Sequence, residues 1–525
     1  MTIFFLILVS TLISMALYGV GFSVFGWLLL IFLPLSIIGF CDRFQTKHSI
    51  LRNYPIIGHM RWLTEAIRPY FRQYLIEGET EGAPVHRMFR SIVYQRAKQS
   101  LDTNPFGTKV DTNRIGYEWL SHSLKANLNN VKAEKLRVTI GNHQCKRPYS
   151  ASLFNISAMS FGALSANAVK ALNKGAQLGG FYQNTGEGSL TPYHLEYGGD
   201  LVWQIGTGYF GCRHNNGNFD ADSFADKAAE DSVKMIEIKL SQGAKPSHGG
   251  ILPKEKITDE IARFRHVGRD EDVVSPPTHS AFSSPLELLQ FINTLRHLSG
   301  GKPVGIKLCV GNRQEFFAIL KAMKETCIYP DFITIDGGEG GTGAAPLEFS
   351  NSIGMPLRDA IVFTHDALVG MGLRDKVKII ASGKLFTSFH IVRALALGAD
   401  LCNSARGMMF ALGCVQSLSC NTNRCPTGIA TQNIRLSKGL VVQDKAERVY
   451  NYQQATLKAT AELLAAAAVE NTDTITRQHI FRRMSDYSIR SLADIYPEPE
   501  NESFINGSIP ELLRSDFHSA RAESF

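Results

Sequence analysis

The stretch KVKIIASGKLFTSFHIVRALALGADLCNSARG, residues 376–407, holds two short β-rich runs separated by an apolar-periodic helical segment. Alternating strands and helices favour a parallel sheet. Eight such runs with glycines at their ends predict a closed (β/α)8 barrel, the α/β fold called a TIM barrel. A doubly wound open sheet is the alternative. The eight runs are residues 153–158, 181–186, 201–206, 235–240, 303–310, 331–338, 376–383 and 400–407.

Four regions are predicted along the 525 residues, whose 44% apolar and 20% charged side chains indicate a globular chain. Residues 1–41 are an apolar N-terminal region, and residues 42–150 are a membrane-proximal segment that packs on the main domain. Residues 151–436 form the barrel. The connection between its fourth and fifth strands is too long for a simple loop, so an insertion is expected over the barrel mouth. Residues 437–525 are predicted to form a helical extension and a loosely held tail.

The N-terminal region predicts a transmembrane hairpin. Residues 1–41 contain no charged side chain, and two apolar runs flank a break at residues 19–21. About 20 apolar residues span one hydrocarbon core as a helix. A cleaved signal peptide is the alternative, although it requires a basic n-region and a small-residue cleavage site. Arg43, Lys47 and Arg52 follow directly, and this basic bias assigns the flank and the main domain to the cytoplasm, at the cell membrane.

Charge elsewhere is modest. A net charge of +7 over the whole chain gives no indication of nucleic-acid binding. Residues 60–75 predict a basic amphipathic helix, which either rests on anionic headgroups or is an ordinary solvated helix.

Three of the nine cysteines, Cys414, Cys420 and Cys425, lie within twelve residues. A reducing cytoplasmic location disfavours disulfides, so clustered cysteines indicate metal or cluster ligands. Three thiolates are incomplete for a closed zinc site, which normally has four ligands. Zinc with His390 or a distant cysteine as the fourth ligand is the alternative.

Glycine and polar residues concentrate at the predicted carboxyl ends of the strands, where TIM barrels carry their active sites. A G-x-G-x-x-G match at Gly338, Gly340 and Gly343 is followed by a proline-bearing loop, which does not fit the dinucleotide fingerprint. We interpret it as flexible backbone that closes on a planar ring. The last two strands end in ASGK and SARG, which predicts a phosphorylated ligand bound by Ser382, Gly383, Lys384, Ala405, Arg406 and Gly407.

Charged residues at two other strands add to this site. Lys239, Gln242 and Lys245 lie at and beyond the fourth strand, and two ammonium groups with an amide suit a small dicarboxylate or keto acid. The alternative is that one lysine is merely solvated. Lys307 lies inside the apolar run VGIKLC, where an unpaired charge is costly, so it requires an anionic or electron-rich partner.

The motifs SAMSFGALS, NTGEG, IEIKLSQGAKP, VSPPTH, DGGEGGTGAAP, ASGK and CNTNRCPTGIATQ together resemble the FMN-binding synthase domain of the glutamate synthase family, specifically its shorter membrane-anchored members. The resemblance covers about residues 85–470. It implies a (β/α)8 barrel, FMN, and a 3Fe–4S cluster bound by Cys414, Cys420 and Cys425. Besides the phosphate loops, it implies FMN contacts from Ala158, Met159, Ser160, Asn184, Gly186, Gln204, Lys307, Asp336 and Gly338.

The resemblance also implies a substrate and a reaction. Glu187, Lys239, Gln242 and Lys245 would surround 2-oxoglutarate or 2-iminoglutarate on the flavin face. Reduced FMN would transfer a hydride to the imine carbon while a nearby acid supplies a proton, with Glu187 and Lys307 as the catalytic residues and Lys307 stabilising the electron-rich edge of the flavin.

Departures from the family pattern leave other functions open. The chain begins MTIFF, and we expect neither a glutaminase domain nor a Rossmann segment for NADPH. Ammonia and electrons would then come from partners, the electrons from a ferredoxin-like carrier or a membrane quinone pool. KPSHGG replaces the family's usual KPGEGG. The alternatives are a flavin-dependent amino-acid or hydroxy-acid dehydrogenase that feeds membrane carriers, and a non-catalytic redox sensor.

Overall fold

The computed structural model describes residues 1–126 and 131–525, and these form two compact units, Met1–Gly82 and Ala83–Phe525. The first unit is helical. Its α-helices are Thr2–Gly19, Val24–Phe44, Ser49–Asn53 and His59–Phe71, and the last continues as a π-helical turn, Arg72–Ile76.

The first two helices are long and apolar enough to cross a membrane, and they confirm the two predicted apolar helices with a break after Gly19. They pack closely as a hairpin. A Cβ on Gly39 would lie 2.3 Å from the ring of Phe4. Thr11 Oγ1 and Ser36 Oγ share a hydrogen bond of 2.7 Å between the helices.

The second unit is built on the predicted closed barrel. Each strand pairs in parallel with its neighbours, and Phe154 of the first strand faces Cys402 of the last, which closes the ring. The TIM barrel and its eight predicted strands are therefore confirmed, and the open sheet is excluded. In chain order the strands are β1 (Phe154–Ile156), β2 (Gln183–Asn184), β3 (Leu201–Ile205), β4 (Val233–Lys239), β5 (Val304–Leu308), β6 (Phe332–Asp336), β7 (Lys378–Ser382) and β8 (Leu401–Ser404).

Helices surround the barrel, and polar caps fix where several of them begin. Ser165 accepts a hydrogen bond from the amide of Ala168, and Ser284 accepts one from that of Glu287, which satisfies donors that the first helical turn leaves free. The helices that follow the strands are Ala166–Gly179, Pro192–Leu195, Ala221–Ala228, Pro285–Leu298, Arg313–Thr326, Leu347–Ser352, Leu357–Gly370, Ser388–Ala396, Arg406–Leu412 and Ile434–Ser437.

The predicted insertion between β4 and β5 is present. It contains an antiparallel pair, Ile251–Leu252 with Val273–Val274, a 3-10 turn, Lys254–Lys256, and a helix, Asp259–Arg265. Gly250, Leu252 and Arg265 line the cavity at the barrel mouth, so the insertion forms one side of that cavity.

Segments that precede the barrel in the sequence pack against segments that follow it, and together they form a layer around the barrel. The long helix Val442–Ala466 contacts Arg87–Ala97 and Ala166–Gly179. Its approach to the latter depends on Gly175, where a Cβ would lie 2.8 Å from Val449 Cγ1. Smaller elements complete this layer: strands Glu118–Leu120, Arg137–Ile140, Tyr149–Ser152, Ile480–Arg483 and Ile489–Ser491, 3-10 turns Ala133–Lys135, Thr472–Thr474 and Arg477–His479, and helix Leu492–Ile495.

The C-terminal residues are packed, so the expectation of a loosely held tail is wrong. Helix Glu511–Ser519 lies against Arg313–Thr326, and the ring of Phe517 contacts that of Phe317 at 5.4 Å between centroids. Lys321 Nζ donates to the carbonyl oxygens of Phe517 at 2.6 Å and Ala520 at 2.8 Å. Because this ammonium caps the last carbonyls of the helix, the segment is held by both apolar and polar contacts.

Candidate active site

A cavity of about 830 Å³ lies at the carboxyl ends of the barrel strands. Most residues predicted from the sequence line it, although they come from nine separate stretches of chain. They are Ala158, Met159, Ser160, Gly186, Glu187, Gln204, Lys239, Gln242, Lys245, Lys307, Asp336, Gly338, Ser382, Gly383, Lys384, Ala405, Arg406, Cys414, Cys420 and Cys425.

Two predicted residues, Asn184 and Gly407, lie outside this lining and support it from behind. Asn184 Nδ2 donates to Glu237 Oε2 at 2.8 Å, and its Oδ1 accepts from the amide of Gly186 at 3.0 Å. Gly407 lies in the first turn of Arg406–Leu412, where a Cβ would come within 2.5 Å of Ser404 Oγ. Both residues therefore fix backbone that does reach the cavity.

A group of charges at the barrel centre, Glu237, Lys307 and Asp336, is here called the floor. Lys307 Nζ lies 3.3 Å from Asp336 Oδ2. Glu237, behind it, accepts hydrogen bonds from Gln204 Nε2 at 2.6 Å and Thr334 Oγ1 at 2.7 Å. Burial alone would lower the pKa of Lys307, but the two carboxylates outweigh burial and raise this pKa above its ordinary value. The floor thus compensates its own cation.

A second group, Glu187, Lys239, Lys245 and Arg265, is here called the wall. Lys239 Nζ donates to Glu187 Oε1 at 2.7 Å and to Gln242 Oε1 at 2.6 Å. Arg265 is buried, and its Nη2 donates to a main-chain carbonyl at 2.8 Å. Its Nε has no hydrogen-bond partner among the residues that the structure describes.

The wall has more positive than negative charge, and its pKa values reflect this. Burial and the neighbouring charge of Lys239 lower the pKa of Lys245 to about 8, although Glu187 opposes the shift. Burial lowers the pKa of Arg265 to about 10, again against Glu187. Burial would raise the pKa of Glu187, but the surrounding cations hold it below its ordinary value. Three buried cations with one carboxylate form a site for an anion.

The loops after β7 and β8 bring two further cations together. Arg406 Nη2 donates to the carbonyl oxygen of Glu339 at 2.8 Å. Burial lowers the pKa of Lys384, and the positive charge of Arg406 lowers it further. Gly383 adopts φ +146°, a conformation that side chains other than glycine rarely adopt. Two partly buried cations beside glycine backbone suit a phosphate group.

The G-x-G-x-x-G segment packs against neighbouring backbone. A Cβ on Gly338 would lie 2.6 Å from the carbonyl oxygen of Gly354, and one on Gly340 would lie 2.9 Å from that of Gly337. Gly343 has open space around it. The first two glycines are therefore required by close packing, and only the third leaves the backbone unconstrained.

Cys414, Cys420 and Cys425 lie on one side of the cavity. Burial raises the pKa of Cys414 to about 12. Burial also acts on Cys425, but hydrogen bonds from Thr427 and nearby amides outweigh it and lower the pKa of this thiol. Lys256 lies close enough for its charge to act on Cys420 and Cys425.

The three thiols provide sulfur ligands, which suit zinc and iron–sulfur clusters alike. Among residues 1–126 and 131–525, no three His, Cys, Asp or Glu side chains are placed to hold a single ion. His390 is buried beside Phe89, 4.8 Å between ring centroids, and burial lowers its pKa to about 3. These observations disfavour the zinc alternative. An iron–sulfur cluster bonds each thiolate to a different iron atom, so its thiols need not converge on one point.

Sequence reasoning missed Glu237 and Arg265. Glu237 lies within the apolar run MIEIKL. A charged residue inside an apolar strand is the same signal that identified Lys307. Arg265 ends the charged helix Asp259–Arg265, whose composition is typical of a solvated helix. Only the fold places it against Glu187.

Comparison with known proteins identifies the family. A model described as a conserved region in glutamate synthase matches residues 97–470. The chain belongs to the glutamate synthase family. It is 38% identical over 493 residues to the glutamate synthase large subunit-like protein YerD of Bacillus subtilis (strain 168), covering 86% of this chain and 93% of that protein. As a member of the glutamate synthase family, it is an oxidoreductase that acts on CH–NH2 donors.

Two more distant matches were found. The archaeal glutamate synthase (NADPH) of Methanocaldococcus jannaschii is 35% identical over 321 residues, which is 61% of this chain and 60% of that relative. A solved mutant flavocytochrome b2 with pyruvate bound is 12% identical, with a TM-score of 0.43 over 88% of this chain and 93% of that one.

Proposed function

We propose that this protein is a membrane-anchored FMN and iron–sulfur oxidoreductase that reduces 2-iminoglutarate, formed from 2-oxoglutarate and ammonia, to glutamate with electrons from a partner. The observation that carries the proposal is the uncompensated positive charge of the wall, where Lys239, Lys245 and Arg265 face the single carboxylate of Glu187. A small dicarboxylate provides the missing negative charge.

The residues around the cavity fit FMN. Gly186 allows close approach to the strand ends, since a Cβ there would lie 2.6 Å from the amide of Ser160. Lys384 and Arg406 would hold the phosphate, and Lys307 would stabilise the electron-rich edge of the ring system. When bound, reduced FMN supplies a hydride to the imine carbon. The remaining predicted contacts that line the cavity are Ala158, Met159, Ser160, Gln204, Asp336, Gly338, Ser382, Gly383 and Ala405, and Asn184 and Gly407 would support them from behind.

Residues of the wall would bind the carboxylates of the substrate and accept a hydrogen bond from its protonated imine. Arg265 and Lys245 would take the two carboxylates. Glu187, which is ionised because its pKa is held low, would accept an N–H of the protonated imine. Burial and the charge of Lys239 lower the pKa of Lys245 to about 8, so its ammonium keeps its proton at neutral pH and can hold a substrate carboxylate. Glu187 would therefore act as a hydrogen-bond acceptor that orients the protonated imine, and hydride addition to its carbon leaves a neutral amine that keeps both N–H protons.

The two residues of KPSHGG that differ from the family pattern, Ser247 and His248, lie outside the proposed substrate region. His248 lies outside the cavity lining, and its ring packs on Phe349 at 5.4 Å between centroids. Ser247 also lies outside the lining. Their positions support keeping 2-oxoglutarate as the substrate.

Cys414, Cys420 and Cys425 would bind a 3Fe–4S cluster that passes electrons between a partner and the flavin. Their place on the lining of the same cavity as the predicted flavin contacts supports this role. The two apolar helices would insert as a hairpin, with the basic residues after Asp42 and the catalytic domain on the cytoplasmic side. Candidate electron donors are a ferredoxin-like protein and a quinone, and a second partner would supply ammonia.

Anaerobic purification in detergent tests the proposal directly. Flavin, iron and sulfide are quantified, and the reduced protein is mixed with 2-oxoglutarate and ammonium while flavin absorbance is followed. Reoxidation that requires both compounds is expected. Reduction of the oxidised flavin by glutamate or another acid, with no reverse reaction, would support a dehydrogenase instead, and inertness to all of them would support a sensor.

A cysteine variant tests the cluster separately. Cys420→Ser should lose iron and sulfide and retain flavin, while Cys327→Ser, at an exposed cysteine remote in sequence, should retain all three. Equal iron content in both variants would contradict the assigned ligands.

A further inference from the structure

The helix His59–Phe71 has an apolar side but no buried residue. Five apolar side chains recur at helical spacing and fall within about 100° of arc, the width of a face that normally packs on something. They are 40% to 55% exposed. This set, here called the apolar face, consists of Met60, Leu63, Ile67, Tyr70 and Phe71.

The opposite side of the same helix and its π-helical continuation is charged. It carries Arg61, Arg68 and Arg72 with a single acid, Glu65, which pairs with Arg68 at 3.7 Å on the exposed surface. Long arginine side chains can reach past the apolar face while their charged ends stay in the headgroup layer. An apolar face bordered by excess positive charge matches the interface of a bilayer that contains anionic lipid.

The start of this helix is fixed to the end of the apolar hairpin. Asp42, near the C-terminal end of Val24–Phe44, is buried and accepts hydrogen bonds from the amide of Ile56 at 2.8 Å and from His59 Nε2 at 2.9 Å. A buried carboxylate that accepts hydrogen bonds from both segments holds them in a defined geometry. A hairpin that crosses the bilayer would therefore place His59–Phe71 at the membrane surface.

We infer that the apolar face and Arg61, Arg68 and Arg72 form a lipid-binding surface that lies in the interface of the membrane and recognises anionic headgroups. The inference rests on the proposed membrane anchorage of the hairpin. It adds a specificity for lipid charge that anchorage alone does not require. A helix of this length is only marginally stable in water, so contact with the bilayer should also stabilise it.

Hydrogen–deuterium exchange of the full chain tests the inference. The protein is reconstituted at one copy per nanodisc, in phosphatidylcholine alone and in phosphatidylcholine mixed with phosphatidylglycerol. Amides of residues 61–72 should exchange more slowly in the anionic discs, with about a fivefold contribution from each arginine at low salt. Added salt should reduce this difference, because it screens headgroup charge.

Two sets of variants separate the contributions. R61Q/R68Q/R72Q should abolish the difference between the two lipids, while the control R435Q/K438Q/R514Q, which removes the same charge from exposed positions of the catalytic unit, should preserve it. L63E/I67E should speed exchange in both lipids, because it removes the apolar contact. These exposed positions tolerate the substitutions, so the chain should fold.

Each remaining outcome decides against the inference. Chain that fails to co-elute with discs would overturn both anchorage and the lipid-binding surface. Chain that co-elutes but exchanges equally in both lipids would overturn the surface and leave anchorage intact. Protection that is equal in both lipids and grows with the number of copies per disc would instead assign the apolar face to a second copy of this chain.

Discussion

The floor and the wall of the cavity differ in their charge balance: carboxylates compensate the cation of the floor, whereas the wall has more cations than carboxylates. In the floor, Asp336 and Glu237 compensate Lys307 and raise its pKa. In the wall, burial and then the like charge of Lys239 lower the pKa of Lys245 to about 8. A buried cation that is paired with carboxylates is stable without a ligand. A buried cation that lacks such a partner favours the binding of an anion. This difference supports the proposal that the floor serves structure and flavin and that the wall binds the substrate.

Removing the cation of the floor should produce the largest effect. Lys307→Ala leaves the buried carboxylates of Asp336 and Glu237 without their counter-charge, and breaking a buried pair in this way costs about 3–5 kcal/mol. The melting temperature in detergent should fall steeply. The double variant Lys307→Met/Asp336→Asn should recover much of this loss, because it removes both members of the closest pair. A double variant as unstable as the single one would contradict the compensation.

Removing a cation of the wall should affect function and spare stability. Lys245→Ala should lower kcat/KM for 2-oxoglutarate by about 100-fold, the loss expected when one partner of a buried charge pair is truncated. The melting temperature and the flavin content should stay close to those of the wild type, since Lys245 is repelled by Lys239. Loss of flavin instead would show that the division into floor and wall is wrong.

A pH titration sharpens the same comparison. Binding of a dicarboxylate requires the Lys245 ammonium, so the apparent Kd should rise about tenfold per unit above pH 8, where this group loses its proton. Lys245→Arg should move that rise to higher pH. Because the unfolded chain holds this proton up to its ordinary pKa of 10.5, the contribution of Lys245 to stability should become more favourable as pH rises from about 8.

The smallest effect is expected from Glu237→Gln. The neutral side chain retains the shape of the floor and leaves Asp336 to pair with Lys307, so the loss of stability should be about 1 kcal/mol. The matched variant Thr334→Val removes one donor to the same carboxylate and provides the reference in thermal melts. A loss as large as that of Lys307→Ala would mean that Glu237, rather than Asp336, is the main partner of the lysine.

The barrel could be predicted from sequence because each strand has a local sequence signal. Short β-rich runs, their regular alternation with helices and the glycines after them are properties of neighbouring residues. Lys307 was also predictable, since a charge inside VGIKLC needs a partner wherever the strand lies. The same reasoning applied to MIEIKL would have found Glu237.

Other features depend on contacts between distant parts of the chain. Arg265 belongs to the wall only because the insertion folds back over the barrel mouth, and nothing in the composition of its helix indicates burial. The C-terminal helix Glu511–Ser519 was missed because Phe517 gains its apolar partner from Phe317, about 200 residues earlier. Short polar helices of this kind are stabilised by packing rather than by propensity.

The pairing of β1 with β8 has a consequence for biosynthesis. Phe154 pairs with Cys402, so after the first strand has been synthesised the barrel cannot close until about 250 more residues have left the ribosome, and its growing sheet keeps two open edges. Exposed edges of that kind recruit other chains. If the hairpin inserts as proposed, the barrel would close beside the bilayer.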